Sequence, residues 1–145
     1  LHIITQNVDD LHERAKSTNV LHLHGELRKV RSTTNENLIY NWENDLVLGD
    51  VAEDNSQLRP HIVWFGEQVP AMTHAIEIVE SADVVIVVGT SLQVYPAAGL
   101  MDYANTDAKV FYIDPKPSIT STNRLTVLPM IASEGMQELI KNYLK

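Results

Sequence analysis

The sequence contains no cysteine among its 145 residues. Disulfides, thiolate metal ligands and a cysteine nucleophile are therefore excluded. It also lacks a long apolar run, because the longest, Val84–Val88, is much shorter than the ~20 residues needed to cross a membrane. Basic residues are few: 11 Lys and Arg against 19 Asp and Glu give a net charge of −8. This balance argues against nonspecific binding to nucleic acid, and no membrane partner is expected.

The first residues, Leu1–Asn7, lack the basic segment and cleavage site of a signal peptide. A cytoplasmic location is therefore expected. The chain also begins without Met, inside an apolar strand-like run. Such a beginning is typical of a fragment. A hydrophobic content of 44% is ordinary for a globular domain with a real core.

Apolar runs and helical spacing predict an α/β fold. Continuous apolar runs are typical of strands in a parallel sheet covered on both faces, and they occur at Leu1–Thr5, Asp83–Val88 and Val110–Ile113. Apolar residues at helical spacing predict helices at Ala71–Glu80, at Pro96–Tyr103 and from Met136 to the C-terminus, the last capped by Ser133. This alternation indicates a parallel sheet with flanking helices. Residues 28–58 are polar and interrupt this alternation of strands and helices. Their composition predicts a small inserted module.

The segment Gly89-Thr90-Ser91 follows the apolar run that ends in Val88. In an open parallel sheet, ligands bind beyond the carboxyl ends of the strands. A glycine there lets the backbone approach a phosphate or ribose, and the hydroxyls can donate hydrogen bonds. The alternative is a tight strand-to-helix turn capped by Ser91.

A second strand end carries Gln6, Asn7, Asp9 and Asp10. Neutral amides beside carboxylates suit recognition of an uncharged amide or a ribose hydroxyl. The alternative is an Asx turn followed by a helix cap, through Asp9 or Asp10.

The segment His22-Leu23-His24-Gly25 places both histidines on one face of a strand. A histidine can take and return a proton near neutral pH, but it can equally be a structural strand residue. A His-x-His pair can also bind a metal. With Asp9 or Asp10 as a further ligand, that arrangement would suit a metal hydrolase.

The stretch Arg59–Glu67 is extended and apolar, and it ends near a glycine. The edge of such a strand could accept a peptide by β-augmentation. The alternative is an ordinary buried strand that ends in a turn.

Four segments together, in this order and spacing, resemble the motifs of the sirtuin family of NAD-dependent protein-lysine deacylases. They are Thr5–Asp9, Leu23–Gly25, Val63–Glu67 and Gly89–Pro96. The resemblance covers essentially the whole chain, and Arg59–Glu67 is most similar to the class that contains bacterial deacylases and the mitochondrial desuccinylase. It implies a Rossmann-like sirtuin catalytic domain over residues 1–145, incomplete at its N-terminus, with the small module at residues 28–58.

The resemblance also implies a role for each matched residue. His24 is the general base, NAD is the co-substrate, and acyl-lysine proteins or peptides are the substrates of this transferase or hydrolase chemistry. The cofactor-binding residues are Gln6, Asn7, Asp9, Gly89, Thr90, Ser91, Asp114 and Ala132. The substrate-binding residues are Val63, Phe65, Gly66 and Glu67. Asp114 stands where the family usually has Asn, which keeps ribose recognition and disfavours NADP.

Two departures from the family pattern carry expectations of their own. Sirtuins usually bind a structural zinc through two cysteine pairs, and Ser32 lies where the first cysteine is expected, so no zinc is expected. The module must then be held by packing, through Ile39, Tyr40, Trp42 and Leu46. The family's N-terminal glycine-rich turn is also absent, so the isolated chain is expected to turn over acyl-lysine poorly. A non-catalytic module of the same fold that binds NAD, ADP-ribose or a peptide remains the alternative.

Overall fold

A computed structural model describes residues 1–144. The chain forms two compact units, Leu1–Met72 and Thr73–Lys145. No helix within the described residues is long and apolar enough to span a membrane. The elements are, in order, β1 (Ile3–Thr5), α1 (Leu11–Arg14), β2 (Val20–His22), β3 (Gly25–Ser32), β4 (Ile39–Asn41), β5 (Leu58–Ile62), α2 (Met72–Glu80), β6 (Val84–Val88), a 3₁₀ helix (Ala97–Tyr103), β7 (Lys109–Ile113), β8 (Leu125–Leu128) and α3 (Ala132–Asn142).

The first unit contains two small sheets. Strands β1 and β2 pair in parallel, with Thr5 opposite His22. Strands β4, β3 and β5 form an antiparallel sheet with β3 in the centre. The polar module predicted at residues 28–58 corresponds to this antiparallel sheet, whose outer strand ends extend past both predicted boundaries to Gly25 and Ile62.

The antiparallel sheet has its own apolar cluster. Buried Val30, Ala52 and Leu58 form its centre, and the half-buried side chains of Leu38, Tyr40, Trp42 and Leu46 pack against them. The expectations for Tyr40, Trp42 and Leu46 are therefore confirmed. The expectation for Ile39 is wrong, because Ile39 is 43% exposed. Side chains alternate along a strand, so Leu38 and Tyr40 face inward and the residue between them faces outward.

The second unit is built on a parallel sheet in the order β6-β7-β8. Two of its strands are the predicted ones. Strand β8 was not predicted, because Thr126 and Pro129 divide the apolar residues around it into pieces shorter than the apolar runs of β6 and β7. Strand β1, predicted to belong to a buried parallel sheet, lies in the first unit, where β2 is its one pairing partner among residues 1–144.

Helix α3 packs closely on β7. Ile113 and Leu139 are both fully buried in one cluster with Phe111 and Leu128. Gly135 faces this cluster, and a Cβ at that position would collide with the Cγ2 atom of Ile113. The predicted cap by Ser133 is wrong: the N-cap is Ile131, no side chain caps the helix, and Ser133 lies inside its first turn.

Candidate active site

His24 lies just beyond the end of β2, and its orientation is fixed by the turn that follows β1. Its Nδ1 lies 3.1 Å from the carbonyl oxygen of Gln6. A carbonyl oxygen only accepts, so Nδ1 carries the hydrogen and donates it. In the neutral ring Nε2 then carries the lone pair, which is what a general base requires.

The backbone on both sides of His24 is fixed as well. The Leu23 amide donates to the Thr5 carbonyl at 2.9 Å, and the Val63 amide donates to the His24 carbonyl at 2.9 Å. Gly25 has φ +82°, and a Cβ there would collide with the carbonyl oxygen of His61. Only glycine fits this position, because any other side chain would meet both the strained φ and the strand β5 backbone.

The turn after β1 carries Gln6, Asn7 and Asp9, and the Gln6 carbonyl contacts His24. The Asn7 amide donates to Thr5 Oγ1 at 3.1 Å. Asp9 Oδ1 accepts from the Leu11 amide at 3.1 Å, which is the Asx turn considered above. Asp10 is the N-cap residue of α1 but makes no cap hydrogen bond with its side chain. The side chain of Asn7 is exposed and that of Gln6 is half-buried.

The predicted substrate segment forms an exposed turn after β5. Phe65 is 98% exposed, and Gly66 has φ +91°. Glu67 holds this turn from within: its carboxylate accepts from Arg59 at 2.7 and 3.2 Å and from the Trp64 amide at 3.0 Å. These hydrogen bonds, from Arg59 first, hold the pKa of Glu67 below its usual value.

Strand β5 is an edge strand of its sheet. It pairs with β3 on one side, and within residues 1–144 no strand occupies its other side. Val63 and the exposed turn continue directly from this edge. An extended peptide could add to it by main-chain hydrogen bonds.

In the second unit, five predicted residues lie at one edge of the parallel sheet. Gly89, Thr90 and Ser91 follow β6, Asp114 follows β7, and Ala132 begins the helix after β8. Because the three strands are parallel, their carboxyl ends share this edge, where ligands bind in such sheets.

Local hydrogen bonds shape that edge. Gly89 has φ +63°, with open space around a Cβ, and its amide donates to the Ile113 carbonyl at 3.1 Å. The buried Tyr112 hydroxyl donates to the Thr90 carbonyl at 2.9 Å. Asp114 Oδ1 accepts from the Lys116 amide at 2.7 Å in an Asx turn.

A metal-hydrolase arrangement finds no ligand set in the part of the chain that the structure describes. No three His, Cys, Asp or Glu side chains there form a group that could hold a metal ion. Both ring nitrogens of His22 are engaged, with the Asn7 carbonyl at 3.0 Å and with Glu13 at 2.9 Å.

A hydrogen-bonded cluster surrounds Ser32, the residue that the resemblance places at the position of the first zinc-binding cysteine. Ser32 is 1% exposed. Its hydroxyl donates to Asp54 Oδ2 at 2.7 Å and lies 2.7 Å from Ser56 Oγ, while it accepts from the amides of Thr34 at 3.1 Å and Asn35 at 2.9 Å. Hydroxyls and one carboxylate do not fit the thiolate and imidazole ligands of structural zinc. We call Ser32, Thr34, Asp54 and Ser56 the hydroxyl cluster.

The hydroxyl cluster depends on one carboxylate. Asp54 also accepts from Thr34 Oγ1 at 2.8 Å, from the Ser56 amide at 3.0 Å and from Ser56 Oγ at 2.7 Å. These hydrogen bonds, with Ser32 the largest contributor, hold the pKa of Asp54 well below its usual range. Sequence reasoning identified Ser32 but missed its partners, although Asp54-x-Ser56 is the kind of polar pair that forms local Asx turns.

Comparison with known proteins settles the family. The Sir2 family profile matches residues 1–96. The chain belongs to the Sir2 family. An NAD-dependent protein deacylase of Helicobacter pylori (strain J99 / ATCC 700824) is 61% identical over 116 residues, covering 80% of this chain and 50% of the relative. A Bacteroides thetaiotaomicron protein of the same description is 52% identical over 144 residues, covering 94% of this chain and 62% of the relative.

Solved structures agree with the sequence comparison. A Sir2 homologue in complex with NAD superposes with a TM-score of 0.79 at 39% identity, covering 97% of this chain and 57% of that one. A Sir2 protein bound to a propionylated peptide gives a TM-score of 0.78 at 32% identity, covering 97% and 62%. The predicted family and its α/β fold are therefore confirmed. The Sir2-family chain spans about half to three-fifths of the length of these proteins.

Proposed function

We propose that the protein containing this chain removes acyl groups from lysine side chains with NAD as co-substrate, releasing nicotinamide and O-acyl-ADP-ribose. The observation that supports this most directly is the orientation of His24. Its Nδ1 donates to the Gln6 carbonyl, so the lone pair of Nε2 is available beside the Gln6–Asn7 turn. The curated relatives at 61% and 52% identity are NAD-dependent protein deacylases, and solved relatives bind NAD or a propionylated peptide.

The proposed reaction needs a general base, residues that bind NAD and residues that bind the acyl-lysine peptide. The acyl oxygen of the substrate lysine attacks the ribose carbon that carries nicotinamide, and the bond to nicotinamide breaks. His24 takes a proton from the ribose hydroxyls, one of which attacks the acyl carbon. Addition of water then breaks the bond between the acyl carbon and the lysine nitrogen, so the free lysine amine leaves and the acyl group remains on ADP-ribose as an ester. Gln6 and Asn7 hold the carboxamide and the ribose. Val63, Phe65 and Gly66 present the acyl-lysine, while the main chain beyond β5 pairs with the peptide.

His24→Ala tests the central assignment in the full-length protein. Nicotinamide release with an acetyl-lysine peptide should fall by at least about 10²-fold, the lower end of what a positioned general base contributes. ADP-ribose binding, measured by calorimetry, should change little, because the residues proposed to contact the phosphates and the adenosine are Gly89–Ser91, Asp114 and Ala132 rather than His24.

The matched control is His74→Ala. His74 lies on the exposed face of α2 beside Glu77, with a side chain 64% exposed, and it has no proposed part in the reaction. Retention of deacylase activity by His24→Ala would remove the base assignment. A wild-type protein that binds NAD and acyl-peptide but releases no nicotinamide would indicate a non-catalytic binding module.

We also propose that the antiparallel sheet is closed without zinc, by the hydroxyl cluster and by the apolar cluster around Val30. The support is the absence of cysteine from the sequence and the saturation of the Ser32 hydroxyl by four partners. Protein purified without added metals should contain far less than one zinc per chain. Stoichiometric zinc, lost together with folded structure on chelation, would contradict this proposal.

A further inference from the structure

His22 lies in the candidate active site without a role in the reaction described above. It is the last residue of β2, opposite Thr5 in β1, and its side chain is only 7% exposed. Its Nδ1 lies 3.0 Å from the Asn7 carbonyl oxygen, and its Nε2 lies 2.9 Å from Glu13 Oε1. Both partners only accept, so both ring nitrogens must donate, and only the protonated imidazolium carries two N–H groups.

The surroundings favour that charged form. Burial lowers the pKa of His22, but the hydrogen bonds to Glu13 and to the Asn7 carbonyl, with the charges of Glu13 and Glu26, outweigh it and raise the pKa. The same contact lowers the pKa of Glu13. The charged groups around the shallow pocket of about 150 Å³ beside His22 are Asp9, Asp10, Glu13, Glu26, Arg28 and Lys29.

The two basic residues of that pocket are each paired with a carboxylate other than Glu13. Arg28 pairs with Asp10 at 3.1 Å, and Lys29 pairs with Glu26 at 2.6 Å. Glu13, on α1, is therefore the carboxylate that directly partners the ring. The result is a bridge from α1 through the imidazolium to the carbonyl of Asn7.

We propose that His22, held protonated by Glu13, is a positioning residue that fixes the Gln6–Asn7 turn for NAD. Two consecutive carbonyl groups of this turn each contact a histidine at or just beyond the end of β2. His24 contacts the Gln6 carbonyl, and His22 contacts the Asn7 carbonyl. His22 does not touch the reacting atoms; it acts through Asn7. This inference rests on the deacylase function proposed above, because it assigns the turn to the co-substrate.

Two substitutions separate the two halves of the bridge in the full-length protein. The amide nitrogen in His22→Asn falls near the position of Nδ1 and keeps a donor for Asn7. The amide nitrogen in His22→Gln falls near Nε2 and keeps only the contact with Glu13. His22→Gln should raise the KM for NAD about tenfold, the order expected when a charge-assisted hydrogen bond is lost, with a smaller change in kcat. His22→Asn should retain more of the NAD affinity.

Glu13→Gln gives the pH readout. The imidazolium is present below its pKa and is lost as the pH rises through it, so the KM for NAD should increase on the alkaline side. Because Glu13 raises that pKa, Glu13→Gln should move this increase to lower pH. His74→Gln, in the exposed pair with Glu77, should leave the profile unchanged.

The ¹⁵N chemical shifts of the His22 ring report its protonation state independently of any enzyme assay. In ¹⁵N-labelled wild-type protein at about pH 7, where an unperturbed histidine with a pKa of about 6.5 is mostly neutral, His22 should still show two protonated ring nitrogens. A neutral His22 ring at that pH, or a wild-type pH profile of KM in His22→Gln, would overturn the proposal. Thermal unfolding shows whether His22→Gln is folded. If it is not, the pH profile of Glu13→Gln tests the proposal in its place. A wild-type protein that does not bind NAD would refute the proposed function, and the nitrogen shifts would still show whether the charged bridge exists.

Discussion

Replacing Ser32 with alanine should loosen the antiparallel sheet of the first unit while leaving the parallel sheet of the second intact. Ser32 is 1% exposed and is the last residue of β3. Its hydroxyl connects the turn after β3 to the segment before β5, because it contacts both Asn35 and Asp54. The alanine variant removes this connection and leaves a small void but no steric conflict.

The magnitude follows from the neutral hydrogen bonds alone. Ser32 Oγ accepts from the amides of Thr34 and Asn35, and a neutral hydrogen bond contributes about 1 kcal/mol. Both residues are exposed, so water can rehydrate their amides and no further desolvation cost is added. The expected loss is about 2 kcal/mol in the free energy of unfolding, or about 1 M in urea midpoint for an m-value of about 2 kcal/mol/M.

Tryptophan fluorescence can report on this sheet alone. The sequence has two tryptophans. Trp42 packs in the apolar cluster beside Val30, whereas Trp64 is 54% exposed. In a Trp64→Phe background, Trp42 therefore becomes the single reporter of urea unfolding. Ser133→Ala is the matched control, since Ser133 is exposed and caps no helix.

Two results would refute the reasoning. The first is a Ser32→Ala midpoint within error of the Ser133→Ala control. The second is a wild-type midpoint that falls on adding a chelator, which would mean that a metal closes the sheet. The pH dependence gives a third check. The pKa of Asp54 is lower in the folded protein than in the unfolded chain. Its contribution to the free energy of unfolding is therefore fully present above the unfolded pKa of about 4. That contribution is lost as the pH falls from there through the lower folded pKa.

Further predictions concern helix packing and the substrate turn. Gly135→Ala should destabilise the protein by about 1–3 kcal/mol, as overpacking does, although alanine favours helices, because its Cβ would meet buried Ile113. Thermal unfolding measures this loss, and Gly99→Ala is the control: it should be tolerated, since the nearest side-chain atom there lies 3.7 Å from the added Cβ. Glu67→Gln should raise the KM for acyl-peptide more than that for NAD, because it breaks the paired hydrogen bonds with Arg59; equal effects on both would argue against a role for this turn in peptide binding.

Much of the architecture could be read from local patterns. Apolar runs located β6 and β7 within one residue at their starts, and helical spacing located α2 and α3, because these patterns depend only on neighbouring residues. The motifs around His24 and Gly89 likewise indicate the family from the sequence alone. Strand β8 was not predicted, since Thr126 and Pro129 interrupt the apolar residues of this four-residue strand and its flank.

Errors arose where orientation or a distant partner decides the outcome. The module boundary and the packing of its apolar residues were predicted from composition, which does not say which residues of β4 face inward. Composition therefore predicts Ile39 in the core, whereas Leu38 packs there instead. The apolar stripe after Ser133 predicts a cap at that residue, but the helix begins one residue earlier at Ala132.

By itself, the sequence determined that this is a Sir2-family α/β chain without thiolate ligands, and which histidine is the candidate base. Only the tertiary structure decided that His22 is bridged between Glu13 and the Asn7 carbonyl, and that Ser32 binds a carboxylate 22 residues away. The physical reason is that a protonation state or a buried hydroxyl's partner is set by atoms close in space. Such neighbours come from separate segments, and their spacing along the chain follows no period.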